Sequence, residues 1–322
     1  MSTVYLSRSP LRVSFFGGGT DIPEWFNKFQ GMTLSTTIDY FTNVYFKPNK
    51  LFDDYKYNIF SKKIEKINLL NNIENPLIRE ILKINKIQNA TLFYDTDLPT
   101  RSGLASSSSF AYALLDVILR YKKIKLSKKD IAKYLINLER NLLKEKGGWQ
   151  DQIAITYQGI NKISYKKNDF KVQNIKLTEK NKKKIEDNLF LLWTGNQRFS
   201  SNVQLELIKK IEKKKASNHK ELNELVSLTK EASKLFLKEN IDINDFSYYL
   251  NKNNELKFKS NIKSYNFEIL DIIDFCKKNG CLASKVLGAG SGGFVLILIN
   301  KDEKKNIAKI SSKFKVYPFK FY

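Results

Sequence analysis

Asp97-Leu98-Pro99-Thr100-Arg101-Ser102-Gly103-Leu104-Ala105-Ser106-Ser107-Ser108-Ser109 opens directly onto the run Phe110 to Tyr121. Phe110, Ala111, Ala113, Leu114, Leu115, Val117, Ile118 and Leu119 make that run apolar nearly all round, which predicts a buried helix. Its start reads as an anion site. Gly103 lets backbone N–H groups turn inward, and a helix N-terminus offers unpaired donors and the positive end of a dipole. Serine hydroxyls add donors for phosphate oxygens and an oxygen ligand for Mg²⁺. One serine would suffice as a cap, and four stand here. No Gly-Lys-Ser/Thr follows the glycine, so this is not a Walker A loop.

Two more glycine clusters flank this segment. Upstream lies Ser9-Pro10-Leu11-Arg12-Val13-Ser14-Phe15-Phe16-Gly17-Gly18-Gly19-Thr20-Asp21. Three glycines after an extended stretch allow a ligand to approach backbone closely, and Asp21 can accept from vicinal hydroxyls. The alternative is a tight loop with Asp21 as a helix cap. Downstream lies Leu287-Gly288-Ala289-Gly290-Ser291-Gly292-Gly293-Phe294. A turn needs one or two glycines; four in six residues suggest a loop passing close to phosphates or to the first loop. Glu139, followed by Gly147-Gly148-Trp149-Gln150-Asp151-Gln152, supplies two carboxylates. Phosphoryl transfer asks for such groups, one near the acceptor hydroxyl and one on Mg²⁺, though by spacing alone the pair is weak.

The 322 residues are enough for two domains or one large one, and 42% hydrophobic content is that of a packed chain. The net charge of +23 has two readings, a basic face for an anionic partner or a solvated lysine surface. Lys182-Lys183-Lys184 and Lys213-Lys214-Lys215 fall on polar stretches, which favours the second. No basic-aromatic module for nucleic acid is present. A single histidine, His219, excludes histidine triads and is expected to be exposed; acid–base work falls to carboxylates or lysine. Cys276 and Cys281 lack a second ligand pair for zinc and read as reduced, half-buried thiols. The N-terminus has no apolar signal region and no run reaches membrane-spanning length, so a cytoplasmic, membrane-free protein is expected.

Along the chain, Val4 to Phe16 reads as extended, and Met32 to Phe60 as several strands. Asn72 to Ile84 reads as helix and Ala90 to Asp95 as strand. Ser127 caps a helix through Leu143, and Gln152 to Tyr165 has strand-like composition. The domain boundary is placed after the lysine-rich stretch Asn168 to Asn188, giving residues 1–188 and 189–322. Strand Leu189 to Thr194 is followed by helices at Asn202–Lys215, Lys220–Asn240, Ile243–Lys259 and Asn266–Lys278. Strand Val295–Asn300, helix Glu303–Phe314 and strand Val316–Phe321 close the chain. Strands and helices out of βαβ order favour an α+β class.

Together these segments resemble the GHMP kinases, the family of galactokinase, homoserine kinase, mevalonate kinase and phosphomevalonate kinase. Pro99, Gly103, Leu104, Ser106 and Ser107 fit Pro-x-x-x-Gly-Leu-x-Ser-Ser. Gly148, Asp151 and Gln152 fit Gly-x-x-Asp-Gln, and Gly288 to Gly293 fit Gly-Ala-Gly-x-Gly-Gly. Ala105 departs from the more usual Gly or Ser. The resemblance covers nearly the whole chain. Within the family the first glycine segment is most similar to D-glycero-D-manno-heptose 7-phosphate kinases. Galactokinase-like members have Gly-Glu-His-Thr-Asp where this chain has Gly17-Gly18-Gly19-Thr20-Asp21. L-fucokinase-like proteins are the nearest rivals.

The resemblance implies a two-domain α+β fold, with an N-terminal βαβ-containing domain, a C-terminal ferredoxin-like one and the site between them. It implies an ATP- and Mg²⁺-dependent kinase forming a sugar 1,7-bisphosphate for surface polysaccharide. Asp151 is the implied catalytic aspartate and Arg12 the basic residue beside the reacting oxygen. Pro99 and Ser102 to Ser108 (Ser102, Gly103, Leu104, Ala105, Ser106, Ser107, Ser108) would bind ATP. Ser107 and Glu139 would hold Mg²⁺. Gly18, Gly19, Thr20, Asp21, Gly288, Gly290 and Gly292 would face the substrate. Arg101 and Arg198 are candidates for its phosphate by charge and position. A homodimer is one option, and a non-catalytic ATP- and sugar-binding sensor is the alternative function.

Overall fold

The computed structural model describes every residue except 1–2, 50–53, 197–200, 214–215, 261–265 and 291. Among these described residues seven strands form one sheet: β1 (Tyr5–Phe16), β2 (Gly31–Lys47), β3 (Tyr57–Phe60), β4 (Ile64–Ile67), β5 (Ala90–Thr96), β6 (Ile160–Lys166) and β7 (Asp169–Ile175). Four form a second: β8 (Leu189–Trp193), β9 (Cys281–Val286), β10 (Phe294–Ile299) and β11 (Lys315–Pro318). The helices are α1 (Pro23–Phe26), α2 (Pro76–Ile84), α3 (Ser106–Tyr121), α4 (Lys128–Asn137), α5 (Gln150–Tyr157), α6 (Glu179–Glu186), α7 (Ser201–Glu212), α8 (Ala216–Leu235), α9 (Ile243–Ser260), α10 (Phe267–Lys278) and α11 (Lys304–Ser311).

The first sheet is built around β2, whose 17 residues carry β1 along one edge and β5 then β6 along the other. The stretch from Met32 onward, expected as several strands, is thus one long strand plus the short β3. Alternation of β-branched and aromatic residues without a turn signal keeps it continuous. β3 and β5 are parallel, with α2 crossing between them, a βαβ element. The second sheet is antiparallel in the order β11-β8-β10-β9, the ferredoxin-like arrangement. β9 had no counterpart in the sequence reading.

Gln150–Tyr157 is helical, against the strand expected from Gln152. Ile153, Ile155 and Thr156 suggest a strand by composition, but Ile153, Ala154 and Ile155 are all buried in a packed site. Tertiary burial overrides weak local propensity. His219, expected exposed, is half-buried with its ring against Trp25 and Phe29. Cys276 is fully buried rather than half-buried, and burial pushes its thiol up to about 12 and that of Cys281 to about 11. Neither is poised for thiolate chemistry. No described helix is long and apolar enough to cross a membrane.

What positions the site is a core shared by both sheets. Leu11, Val13 and Phe15 of β1 pack with Leu191, Phe294 and Leu296 of the second sheet. Phe15 also meets Phe236, Phe246 and Phe321 edge-on or tilted. The chain returns to the first sheet at its last residues, where Tyr322 N donates to Thr37 O at 3.0 Å. Three glycine loops converge at the rim of this core.

Candidate active site

Loop 97–105 reaches α3 through left-handed backbone: φ is +54° at Arg101, +83° at Gly103 and +59° at Ala105. Ala105, the position that departs from Gly, is therefore one where a Cβ costs about 1–2 kcal/mol. No side chain caps the first turn of α3, so its N–H groups are left for a ligand. Ser108 Oγ donates to Glu139 at 2.8 Å and Ser109 Oγ to Ser9 O at 3.0 Å. The hydroxyls of Ser106 and Ser107 have no partner among the described residues, and Ser107 is exposed. Ser102 Oγ is buried without a partner. An orphaned hydroxyl and an open helix N-terminus in one loop fit a polyphosphate.

β1 carries Arg12, 2% exposed, into contact with this loop. Its N–H donates to Leu104 O and its Nη1 to Gly103 O, both at 3.0 Å. Its Nη2 forms a close ion pair with Asp151 Oδ1. The Asp151 side chain stays 36% exposed, so one guanidinium ties the carboxylate to the phosphate loop while leaving it reachable. Asp21 lies nearby, accepting from Gly19 N at 2.9 Å and Gln150 N at 3.2 Å. Burial, then the Asp151 charge, pushes its carboxyl up against those two bonds. Gly148 makes room for it: a Cβ there would stand 1.9 Å from Asp21 Oδ2.

Glu139 sits in a π-helical turn, Leu138–Leu142, that continues α4. Such turns often mark functional positions. It accepts from Ser108 and from Gln152 Nε2, each at 2.8 Å. Burial pushes its carboxyl up to about 8, outweighing these bonds. A buried acid with no counter-cation among the described residues, beside the phosphate loop, fits a hard cation. No cluster of three His, Cys, Asp or Glu exists among the described residues. Mg²⁺ takes one or two carboxylates and draws its other ligands from phosphate and water, a demand Glu139 can meet.

The C-terminal glycine loop packs backbone to backbone on the phosphate loop. A Cβ on Gly288 would lie 2.6 Å from Gly103 Cα, and one on Gly293 2.3 Å from Ser102 O. The glycines suggest a close neighbour, phosphates or the first loop, and the loop is in contact with them. The first glycine loop is fastened in turn: Thr20 Oγ1 has Gly17 O at 2.8 Å and Met32 O at 2.9 Å within reach of its single proton, and Thr20 is fully buried. Thr20 thus shapes the loop, and Asp21 is the residue it presents. Gly18, Gly19, Gly290 and Gly292 lie in the two loops so placed. Arg101 is exposed and faces the charge of Glu145; Arg198 lies outside the described residues.

Several site residues escaped the sequence reading. Gln150 exchanges hydrogen bonds with Ser14 Oγ, and Asn253 Oδ1 accepts from Gly17 N at 2.9 Å. Lys257 and Lys285 are buried beside the carboxylates. Lys285 is the lone cation of β9, a strand the sequence reading did not find. Lys257 shares a face with the buried Phe246, Leu250 and Asn253 at helical spacing, a signal that shows only once that face is known to be buried.

The family model for the GHMP kinases N-terminal domain matches residues 68–159, and that for the GHMP kinases C-terminal region matches 208–315. A Campylobacter jejuni protein, D-glycero-alpha-D-manno-heptose 7-phosphate kinase, is 26% identical over 95% of this chain and 93% of its own. A D-glycero-D-manno-heptose 1-phosphate kinase from Bacteroides thetaiotaomicron superposes with a TM-score of 0.77 at 19% identity, over 99% of this chain and 96% of that one. The mevalonate kinase of Methanococcus jannaschii superposes at 0.76 and 20% identity, over 99% of both. Relatives with different acceptors share the fold, so the fold alone does not name the acceptor. The two models, matched in chain order over more than half of the sequence, make the assignment: this chain belongs to the GHMP kinase family and is a kinase.

Proposed function

We propose that the protein transfers the γ-phosphoryl group of ATP to the anomeric hydroxyl of D-glycero-D-manno-heptose 7-phosphate. The product would be the 1,7-bisphosphate, a precursor of nucleotide-activated heptose for surface polysaccharide. The observation that carries this reading is the acceptor end of the cleft. A Gly-Gly-Gly-Thr-Asp loop presents Asp21 beside Asp151, where galactokinase-like members have Gly-Glu-His-Thr-Asp. The C. jejuni relative adds support across nearly the full length of the chain.

In this reading the phosphate loop and the N-terminus of α3 hold the polyphosphate through backbone donors. Asp21 orients the sugar hydroxyls. The anomeric oxygen bonds to the γ-phosphorus, the bridging oxygen leaves with ADP, and the hydroxyl proton passes to Asp151. Arg12 fixes the Asp151 carboxylate and compensates charge on the transferred group. Glu139 and Ser107 would hold Mg²⁺, whose chemistry is neutralisation of phosphate charge. Little covalent work is left to the protein, so positioning and charge dominate.

The test is an acceptor panel of heptose 7-phosphate, L-fucose, galactose and mevalonate with ATP and Mg²⁺, following ADP release. Release should be fastest with heptose 7-phosphate. Turnover with a neutral sugar alone would overturn the heptose-phosphate reading; ATP binding with no turnover on any sugar would favour a sensor.

A further inference from the structure

Helix α9 sends two side chains into the junction of the glycine loops, one turn apart. Asn253 fastens the first loop through Gly17 N. Lys257 Nζ donates to Gly288 O of the C-terminal loop. From β9, Lys285 Nζ donates to Ser14 O at 2.5 Å. Lys257 is 9% exposed and Lys285 1%. An ammonium has three donors, and each of these has one neutral carbonyl as its hydrogen-bond acceptor among the described residues. Asn253 Nδ2 and Arg12 Nε are also buried without partners.

Donor capacity here exceeds what the chain itself accepts. The charges that act on Lys257 are Asp21, Arg12 and Asp151; those on Lys285 are Lys257, Arg12 and Asp21. Three basic groups therefore share two carboxylates, and burial, the largest influence on both lysines, works against their charge while no anion is bound. A tie to Gly288 O alone would not call for a buried charge, since a neutral side chain of similar size often serves as well or better. A surplus of buried donors calls for an anion rich in acceptors. The position says which: Gly288 lies on Gly103 of the phosphate loop, while Asp21 and Asp151 mark the acceptor end.

We propose that Lys257, with Lys285 behind it, forms a phosphate-anion subsite between the phosphate loop and the acceptor carboxylates. This rests on reading the cleft as a phosphotransfer site. The phosphate has two possible sources, the γ-phosphate of the nucleotide or the phosphate the acceptor already carries. Lys257→Gln keeps a donor for Gly288 O and removes the charge; Lys257→Met removes both.

The experiment is calorimetric titration of wild type and both variants, with Mg²⁺ present, by ATP, ADP and inorganic phosphate, alongside thermal unfolding. A γ-phosphate contact predicts that both variants lose about ten- to a hundredfold in ATP affinity. ADP affinity should stay within about threefold. An acceptor-phosphate contact predicts that inorganic phosphate binding weakens instead, with both nucleotides unchanged. Either result supports the subsite. It is overturned if folded Lys257→Gln binds all three ligands as wild type does, or if ATP and ADP weaken equally. The latter would make Lys257 only a strut for the glycine loop. Should Lys257→Met fail to fold, Lys257→Gln decides alone. Binding is read without turnover: loss of ATP preference in a protein that phosphorylates no sugar keeps the subsite and discards the acceptor reading.

Discussion

Gly148→Ala isolates the geometry that holds Asp21. Gly148 lies outside the positive-φ region, so alanine brings no backbone strain there, only a methyl group. That methyl would stand 1.9 Å from Asp21 Oδ2 and 2.4 Å from its Cγ. To reach ordinary contact near 3.4 Å the carboxylate must retreat by about 1.5 Å. It cannot do so and keep its bonds from Gly19 N and Gln150 N, at 2.9 and 3.2 Å. Overpacking of this kind costs about 1–3 kcal/mol of stability. A displacement of about 1 Å in a positioning group can cost about a hundredfold in rate. The assay is steady-state kinetics with acceptor and ATP varied separately. The acceptor kcat/KM should fall by about a hundredfold, with the KM for ATP within about threefold of wild type. Gly147→Ala is the control, since its methyl would meet only Gln204 atoms at 3.9 Å; it should behave as wild type. If Gly148→Ala matches Gly147→Ala in rate and stability, Asp21 is not held in place as described.

Asp151→Asn should lower kcat by orders of magnitude while ATP titrations stay near wild type; wild-type turnover would remove Asp151 from the chemistry. Gly293→Ala places a methyl 2.3 Å from Ser102 O at φ +89°, where backbone on both sides resists. It should cost about 2 kcal/mol or more in urea denaturation and weaken ATP binding, and a neutral outcome would contradict the packing of the two loops. The unliganded protein should have a stability minimum near pH 8. Glu139, raised to about 8, and Asp21, raised, hold protons in the fold that the unfolded chain has released, so stability falls as pH climbs from about 4.5 to 8. Lys257, lowered to about 8, sheds protons the unfolded chain retains, so stability recovers from about 8 to 10.5. Glu145 and Glu186, also raised by burial, act in the same direction as Glu139 along the acid limb. Urea midpoints from pH 5 to 10 should trace a trough of a few kcal/mol; a maximum near pH 8 would contradict it.

The phosphate loop and α3 were legible because their signals are local: a glycine, a serine run and an apolar helix stand next to one another. The sharp α4 N-cap at Ser127 and the Asn266 cap of α10 are local in the same way. What is made by distant contacts was not legible. Asp21 and Gly148 meet across more than a hundred residues, and neither segment signals the other. Ser108, not Ser107, turns to Glu139 because one helical residue rotates a side chain by about 100°. A serine run does not say which hydroxyl faces which way. α5 was hidden by its β-branched residues, and β9 by its junction with the glycine loop. Lys257 and Lys285 were obscured by abundance: among 56 Lys and Arg, two buried ones do not stand out until the core is known.

The central claim is that these loops and Asp151 carry a phosphoryl group from ATP to an anomeric oxygen. ³¹P NMR of wild-type protein with ATP, Mg²⁺ and D-glycero-D-manno-heptose 7-phosphate tests it directly. The account predicts ADP together with a new sugar phosphate signal coupled to the anomeric proton, the original 7-phosphate signal being retained. ADP appearing with inorganic phosphate alone, or a new phosphate on any other carbon, would contradict it.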